Sequence, residues 1–395
     1  MALALICTGV VGAMTCWFSA TEIMPELIRD WRLDPAQAGW LTNAVQIGFV
    51  VGALASALVN LPDILRLTRL IAGAALLAAA ANACLLLEPG YSGALAARFV
   101  TGVALAGLYP PAMKLMATWF LRGRGLAMGF LIAGLTLGSS MPHLFRALGG
   151  GIDWRLVVIA ASLATLSSAA IFGLMVREGP HGFGRATFDP RQALAVLRDR
   201  PVLLANLGYF GHMWELYAMW AWFLAFATAA AGAGVGPFAS PSAFAFVVVA
   251  SGVAGCILGG VLSDRIGRCL TTAGMMAVSA ACAALIGLAF DGPAWGLALI
   301  GIVWGIAVIG DSAQFSAAVT ELADPRLVGT ALTLQTSLGF ALTVLAIWLM
   351  PHVAEMLGGW RWAFLALLPG PVIGTWAMLR LRGMEASRRL AGGRR

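Results

Sequence analysis

The sequence predicts an all-α membrane protein of twelve transmembrane helices arranged as two six-helix repeats. Three observations point there. Sixty per cent of the 395 residues are hydrophobic and only 11% are charged, with a mean hydropathy of +0.88, a balance foreign to soluble globular domains. Twelve apolar runs follow one another, each long enough to cross a bilayer. The chain also repeats itself. Leu61-Pro62-Asp63 recurs at Leu262-Ser263-Asp264, Gly125-Leu126-Ala127 at Gly329-Thr330-Ala331, and Trp154-Arg155 at Trp360-Arg361, with an offset drifting from 201 to 206. Recurrence in the same order implies two halves of like orientation.

The spans are expected at about 2–24, 36–59, 69–87, 93–120, 124–146, 154–176, 202–229, 242–262, 269–290, 294–320, 327–350 and 359–380. Residues 2–20 could pass for a signal peptide, but no Lys or Arg precedes them and the run continues to Met24, so they read as a first membrane helix. The halves are 1–176 and 201–395. Between them, 177–200 is polar and punctuated by Gly179-Pro180 and, at its end, Pro201, and reads as a linker.

The net charge of +7 suggests nucleic acid only if its distribution is ignored. With twelve spans both termini share one face, and the loops and tail of that face carry 18 of the 25 Lys and Arg, against five on the other. This asymmetry places both termini in the cytoplasm, in the inner (plasma) membrane of a cell. The cysteines (Cys7, Cys16, Cys84, Cys256, Cys269, Cys282) are scattered without metal spacing and read as buried small apolar residues.

The polar loop between spans 8 and 9 is Gly259-Gly260-Val261-Leu262-Ser263-Asp264-Arg265-Ile266-Gly267-Arg268. It resembles the G-x-L-x-D-R-x-G-R loop of the major facilitator superfamily of transporters. Span 4 carries Arg98, Gly102, Ala106, Gly107 and Pro110 in an order similar to that family's R-x-x-x-G-x-x-x-G-x-x-P pattern. The first-half loop is degraded, keeping Asp63 with Arg66 and Arg69. Span 5 has Gly125, Gly134 and Gly138 at the spacing of the family's antiporter motif, but then Ser139-Ser140 where that motif has Gly-Pro, which argues against drug–proton antiport. Glycines at such spacing also serve helix packing alone. The resemblance implies two six-helix halves rocking about a central cavity, with Asp264, Arg265, Gly267, Arg268 and Asp63 as a latch between them.

Ionisable residues inside a membrane are costly and default to a functional reading. Here they fall in spans 1, 4, 7 and 10: Glu22, then Arg98 and Lys114, then His212 and Glu215, then Asp311, with His143 and Arg146 at the end of span 5. In the family this chain resembles, spans 1, 4, 7 and 10 line the cavity. Helical phase groups Tyr209, His212, Glu215, Leu216, Met219 and Trp222 on one face of span 7, beside Tyr217. Trp304 shares a face with Asp311, with Gln314 adjacent, and Arg98 shares one with Tyr109. Lys114 lies about 160° round from Arg98 and is expected to snorkel to the surface or to face the cavity. Each residue also has a plainer reading. Asp311 could bond a neighbouring helix, Glu215 could be neutralised locally by His212, and Glu22, three residues before Pro25, could be a solvated end residue. Arg98 could organise backbone carbonyls instead of touching substrate.

Three function classes remain. A secondary transporter fits best. No G-x-x-x-x-G-K-[ST] loop supports ATP-driven transport, and neither H-E-x-x-H nor G-x-S-x-G supports a membrane enzyme. A receptor on a transporter fold lacks an extramembrane domain to signal through. The expected activity is therefore proton-coupled alternating-access transport of a metabolite, sugar or drug. The stretch Ala20 to Pro25 looks somewhat like the sugar- and drug-efflux branch. Arg98 keeps open uptake of a small anion, as in a nitrate- and cyanate-like branch, whereas Glu22, Glu215 and Asp311 favour a cation or a protonation cycle. The expected partners are a small-molecule substrate, protons and membrane lipid, with no cofactor, metal or nucleic acid, for a monomer.

Overall fold

A computed structural model describes residues 1–120, 124–149, 153–181 and 192–394, and among them every regular element is helical. The expected loop 121–124 and linker 177–200 therefore fall partly outside the described residues. Among the described residues ten helices are long and apolar enough to cross a membrane. Span 1 supplies only a short apolar helix, Ala2–Met14. Span 7, Arg200–Gly232, is 33 residues long and reaches about 50 Å, but its polar and aromatic middle lowers its hydropathy.

Most spans are single helices where the apolar runs place them, such as Pro35–Leu58 for span 2 and Pro241–Ile266 for span 8. Span 2 begins on a capping box, in which Asp34 accepts from the Gln37 amide while the Gln37 side chain accepts from the Asp34 amide. The turn between spans 8 and 9 needs Gly267, whose φ of 90° is the left-handed region that other residues avoid.

Among the spans expected to be continuous, several are divided, and spans 1, 4 and 10 are broken in mid-course. Span 1 stops at Met14, resumes for Ser19–Glu22, and continues as Met24–Trp31. Span 4 divides into Gly90–Ala106 and Tyr109–Trp119, because Pro110 and Pro111 lack the N–H groups that a continuous helix would use. Span 10 divides into Ala294–Gly310 and Ser312–Leu322, leaving Asp311 alone between the pieces.

Packing repeats with a step of six spans. Span 2 lies on span 4, 3 on 6 and 1 on 5; correspondingly 8 lies on 10, 9 on 12 and 7 on 11. Spans 5 and 8, and spans 2 and 11, join the two sets. The contacts are tight where glycines face one another. A Cβ on Gly259 would stand 1.7 Å from the Gly310 carbonyl oxygen, so spans 8 and 10 can approach this closely only without one. Gly138 meets the Val11 carbonyl of span 1 in the same way and Gly134 approaches the Cys7 carbonyl, whereas Gly125 faces open space, so two of the three span 5 glycines pack helices. Among the cysteines, Cys84 departs from expectation: it is exposed.

Candidate functional site

Span 7 runs unbroken past the break in span 10, and the two carry the central charges. His212, Glu215 and Asp311 are each no more than 2% exposed. The plainer reading of Glu215, local neutralisation by His212, is not what the side chains do. His212 Nδ1 lies 2.9 Å from Asp311 Oδ1, close enough for an ion pair but without the alignment of a directed hydrogen bond. The imidazole Nε2 has no partner among the described residues. Glu215, one turn along, accepts instead from Ser279 Oγ of span 9 and from Trp304 Nε1 of span 10, both at 2.7 Å. An i, i+3 spacing puts two side chains on one face, but the helix packed opposite each one decides its partner.

The buried cations are spent on structure. Arg98 is fully buried and directs one Nη to the Cys16 carbonyl at 2.9 Å, to Ser19 Oγ and to Asn82 Oδ1; the other reaches the Trp17 carbonyl. Cys16 and Trp17 lie in the break of span 1, whose freed carbonyls need donors inside the membrane. The buried guanidinium and the broken helix therefore satisfy each other. Lys114 pairs with Asp63 at 2.5 Å, with both side chains under one-fifth exposed. It is thus tied to the first-half loop, neither snorkelling free nor facing the cavity. Arg268 makes two bonds to Glu321, at 2.8 and 2.5 Å, and a third to Gln314 Oε1 at 2.7 Å. Gln314 therefore belongs to the loop end of span 10. Asp264 and Arg265 are exposed, and the Asp264 carbonyl accepts from Arg394.

Aromatic residues fill the seam between the halves. Tyr217 packs on Trp17 and Phe340 at ring separations of 5.5 and 5.2 Å, and Phe49 packs on Phe340 at 4.4 Å. Tyr209 faces His212 and Phe315. Trp222 stands apart, donating to the Ile347 carbonyl and stacking on Trp360.

Glu22 is the acid of span 1, for which the sequence leaves an inward place and a solvated end both open. It is not a solvated end residue but is wholly buried. His143 Nδ1 contacts one carboxylate oxygen, Ser242 Oγ donates to the other at 2.6 Å, and Arg146 Nε lies 3.7 Å away. Arg146 also grips Glu26 through two bonds and donates to the Glu22 carbonyl. Ser242 opens span 8, so this knot crosses the seam at the face away from the termini.

A family model for the Major Facilitator Superfamily matches residues 6–347. The chain belongs to the major facilitator superfamily, and it is a membrane transporter of that kind. Its superfamily relatives include the niacin transporter NiaP of Acinetobacter baylyi, 23% identical over 69% of this chain and 70% of that one. The probable sulfoacetate transporter SauU of Cupriavidus necator is 25% identical over 43% of each chain. The uncharacterised transporter YgaY of Escherichia coli K12 is 30% identical over 42% of each. Among solved structures, a bacterial homologue of the human lysosomal transporter Spinster, inward-facing and unoccupied, superposes with a TM-score of 0.71. It covers 98% of this chain and 96% of its own at 16% identity, a likeness of fold.

Sequence reasoning missed Ser242, Ser279, Asn82 and Ser19, small polar residues with no charge to flag them. The signal was faint but present. Each lies inside an apolar run, where a hydroxyl or amide needs a partner.

Proposed function

We propose that this superfamily member is a proton-coupled secondary transporter of a small organic molecule, of metabolite, sugar or drug type, working by alternating access from the inner membrane with both termini cytoplasmic. The observation that carries this reading is the buried His212–Asp311 pair at the break of span 10. A buried carboxylate and imidazole in contact, beside a ring nitrogen with no partner among the described residues, can exchange a proton with an incoming ligand, or with water once the site opens. Broken helices at a midplane site are a recurrent transporter device. The halves 1–176 and 201–395, joined through 177–200, would rock about the aromatic seam, and the Glu22 knot would close the face away from the termini. Asp264 and Arg265, exposed here, remain available to the opposite half in the other state.

The small-anion alternative rested on Arg98. Its Nη donors go to Cys16, Trp17, Ser19 and Asn82, while its Nε has no partner among the described residues, so the alternative leans on that one donor and on the charge.

The test is Asp311→Asn in proteoliposomes. Asparagine mimics the protonated acid permanently, so substrate exchange should persist while accumulation driven by a pH gradient is lost. Glu215→Gln should show a weaker version. Unchanged accumulation in Asp311→Asn refutes the coupling role. Loss of exchange as well means that Asp311 binds substrate or holds the fold.

A further inference from the structure

We infer that an anionic phospholipid binds between the ends of spans 7 and 12, its headgroup phosphate held by Arg200 and Arg380 and an acyl chain laid along an apolar stripe of span 12. A cavity of about 320 Å³ opens there, lined by Arg200, Leu379, Arg380, Gly383 and Met384, a volume at the lower end of small-molecule sites. Arg200 opens span 7 and Arg380 stands in the last turn of span 12, so guanidinium groups from two helices meet at one hollow. Both are exposed, and neither has a hydrogen bond or ion pair among the described residues. Within 198–200 and 380–389 six arginines stand against two acids, Asp199 and Glu385. Asp199 is turned to the Val202 amide. The charge around the cavity therefore selects an anion.

The wall beside the cavity says which anion. Val372, Ile373, Trp376 and Leu379 are each roughly half exposed. With Arg380 they recur at i, i+1, i+4, i+7 and i+8, one face of the helix. The stripe runs about 12 Å from Val372 to Arg380, and Leu379 belongs both to it and to the cavity. A soluble anion would use the arginines and leave the stripe idle, whereas a phospholipid uses both. Bound there, the lipid ties the start of span 7 to the end of span 12. It thus braces the helix that carries His212 and Glu215 without touching either.

The experiment is thermal unfolding of the detergent-purified protein with phosphatidylglycerol, with phosphatidylcholine at the same mole fraction, and with inorganic phosphate. A ligand at ten times its Kd raises the folded-to-unfolded ratio about elevenfold. Phosphatidylglycerol should raise Tm; phosphatidylcholine and inorganic phosphate should not. An arginine near the membrane surface contributes about fivefold to anionic-lipid affinity. The double variant Arg200→Gln/Arg380→Gln should therefore weaken phosphatidylglycerol about 25-fold, and Arg388→Gln, which removes an exposed charge of the tail, less than twofold. If the double variant does not fold, Arg380→Gln alone should weaken it about fivefold. No shift with phosphatidylglycerol, an equal shift with phosphatidylcholine, an equal shift with inorganic phosphate, or unchanged affinity in the folded variant overturns the inference. So does an Arg388→Gln effect as large as that of Arg380→Gln, which would mean diffuse attraction instead of a site. No gradient or flux enters the measurement, so its outcome is separate from that of Asp311→Asn.

Discussion

Removing one hydroxyl should unlock the face away from the termini. Ser242 Oγ donates to Glu22 Oε1 at 2.6 Å, and the carboxylate is fully buried between spans 1, 5 and 8. Opening that face must separate span 8 from spans 1 and 5, so this bond exists only when the face is closed. A hydrogen bond to a charged group contributes about 1.5–3 kcal/mol, and Ser242→Ala should therefore shift the closed-to-open ratio by roughly 10- to 100-fold toward open. His143 and Arg146 sit on the same side of the seam as Glu22, so they still hold it in the open state and do not compensate. Spin labels at Leu148 and Ala239, exposed positions beside the ends of spans 5 and 8, would report the distance in a cysteine-free background. Ser242→Ala should add a long-distance population absent from the parent. A distribution unchanged within twofold would mean that the knot does not gate this face.

Other consequences can be measured directly. Arg98→Ala strands the Cys16 and Trp17 carbonyls, at about 1–3 kcal/mol for each orphaned group, so its Tm should fall markedly; a Tm equal to that of the parent would mean that the guanidinium does not brace span 1. Lys114→Met and Asp63→Asn should each destabilise, and the double variant no more than either alone, with a coupling of about 0.5–3 kcal/mol in a double-mutant cycle; simple additivity would dissolve the pair. Arg326 beside Asp324 holds that carboxyl down at about 2, so the pair's contribution is present above the unfolded carboxylate value and is lost as pH falls through about 2. Asp324→Asn should thus leave the pH profile of transport unchanged across roughly pH 5–8, where His titrates, and a shifted midpoint would contradict this. Cysteines at Arg66 and Asp153 should label from opposite sides of the membrane, Arg66 from the cytoplasm.

Much of the architecture was legible because a bilayer constrains sequence so strongly. Apolar runs, basic loops and an internal repeat report helix count and order through length and charge alone. The positions of charge in spans 4, 7 and 10 were legible for the same reason, since each stands out in an apolar run. Partnership was not. His212 and Glu215 share a face, yet one meets Asp311 and the other meets Ser279 and Trp304, because the helices packed against span 7 differ from turn to turn. For Glu22 the sequence left an intramembrane place and a solvated end both open, because Pro25 follows it; span 1 breaks and carries the acid inward. That break has no proline or glycine to announce it at residues 15–18. It is held by an arginine more than eighty residues away.

The two loop bridges have opposite polarity. In the first half an acid from the loop, Asp63, meets a base of span 4, Lys114; in the second a base from the loop, Arg268, meets an acid of span 10, Glu321. A chain built from two similar halves risks docking the wrong helices as it assembles, and packing alone discriminates poorly when both halves use the same small-residue surfaces. Exchanging the loops here would set Asp63 against Glu321 and Arg268 against Lys114, like charge on like. The reversed sign would thus penalise such an exchange and favour each hairpin closing on its own half.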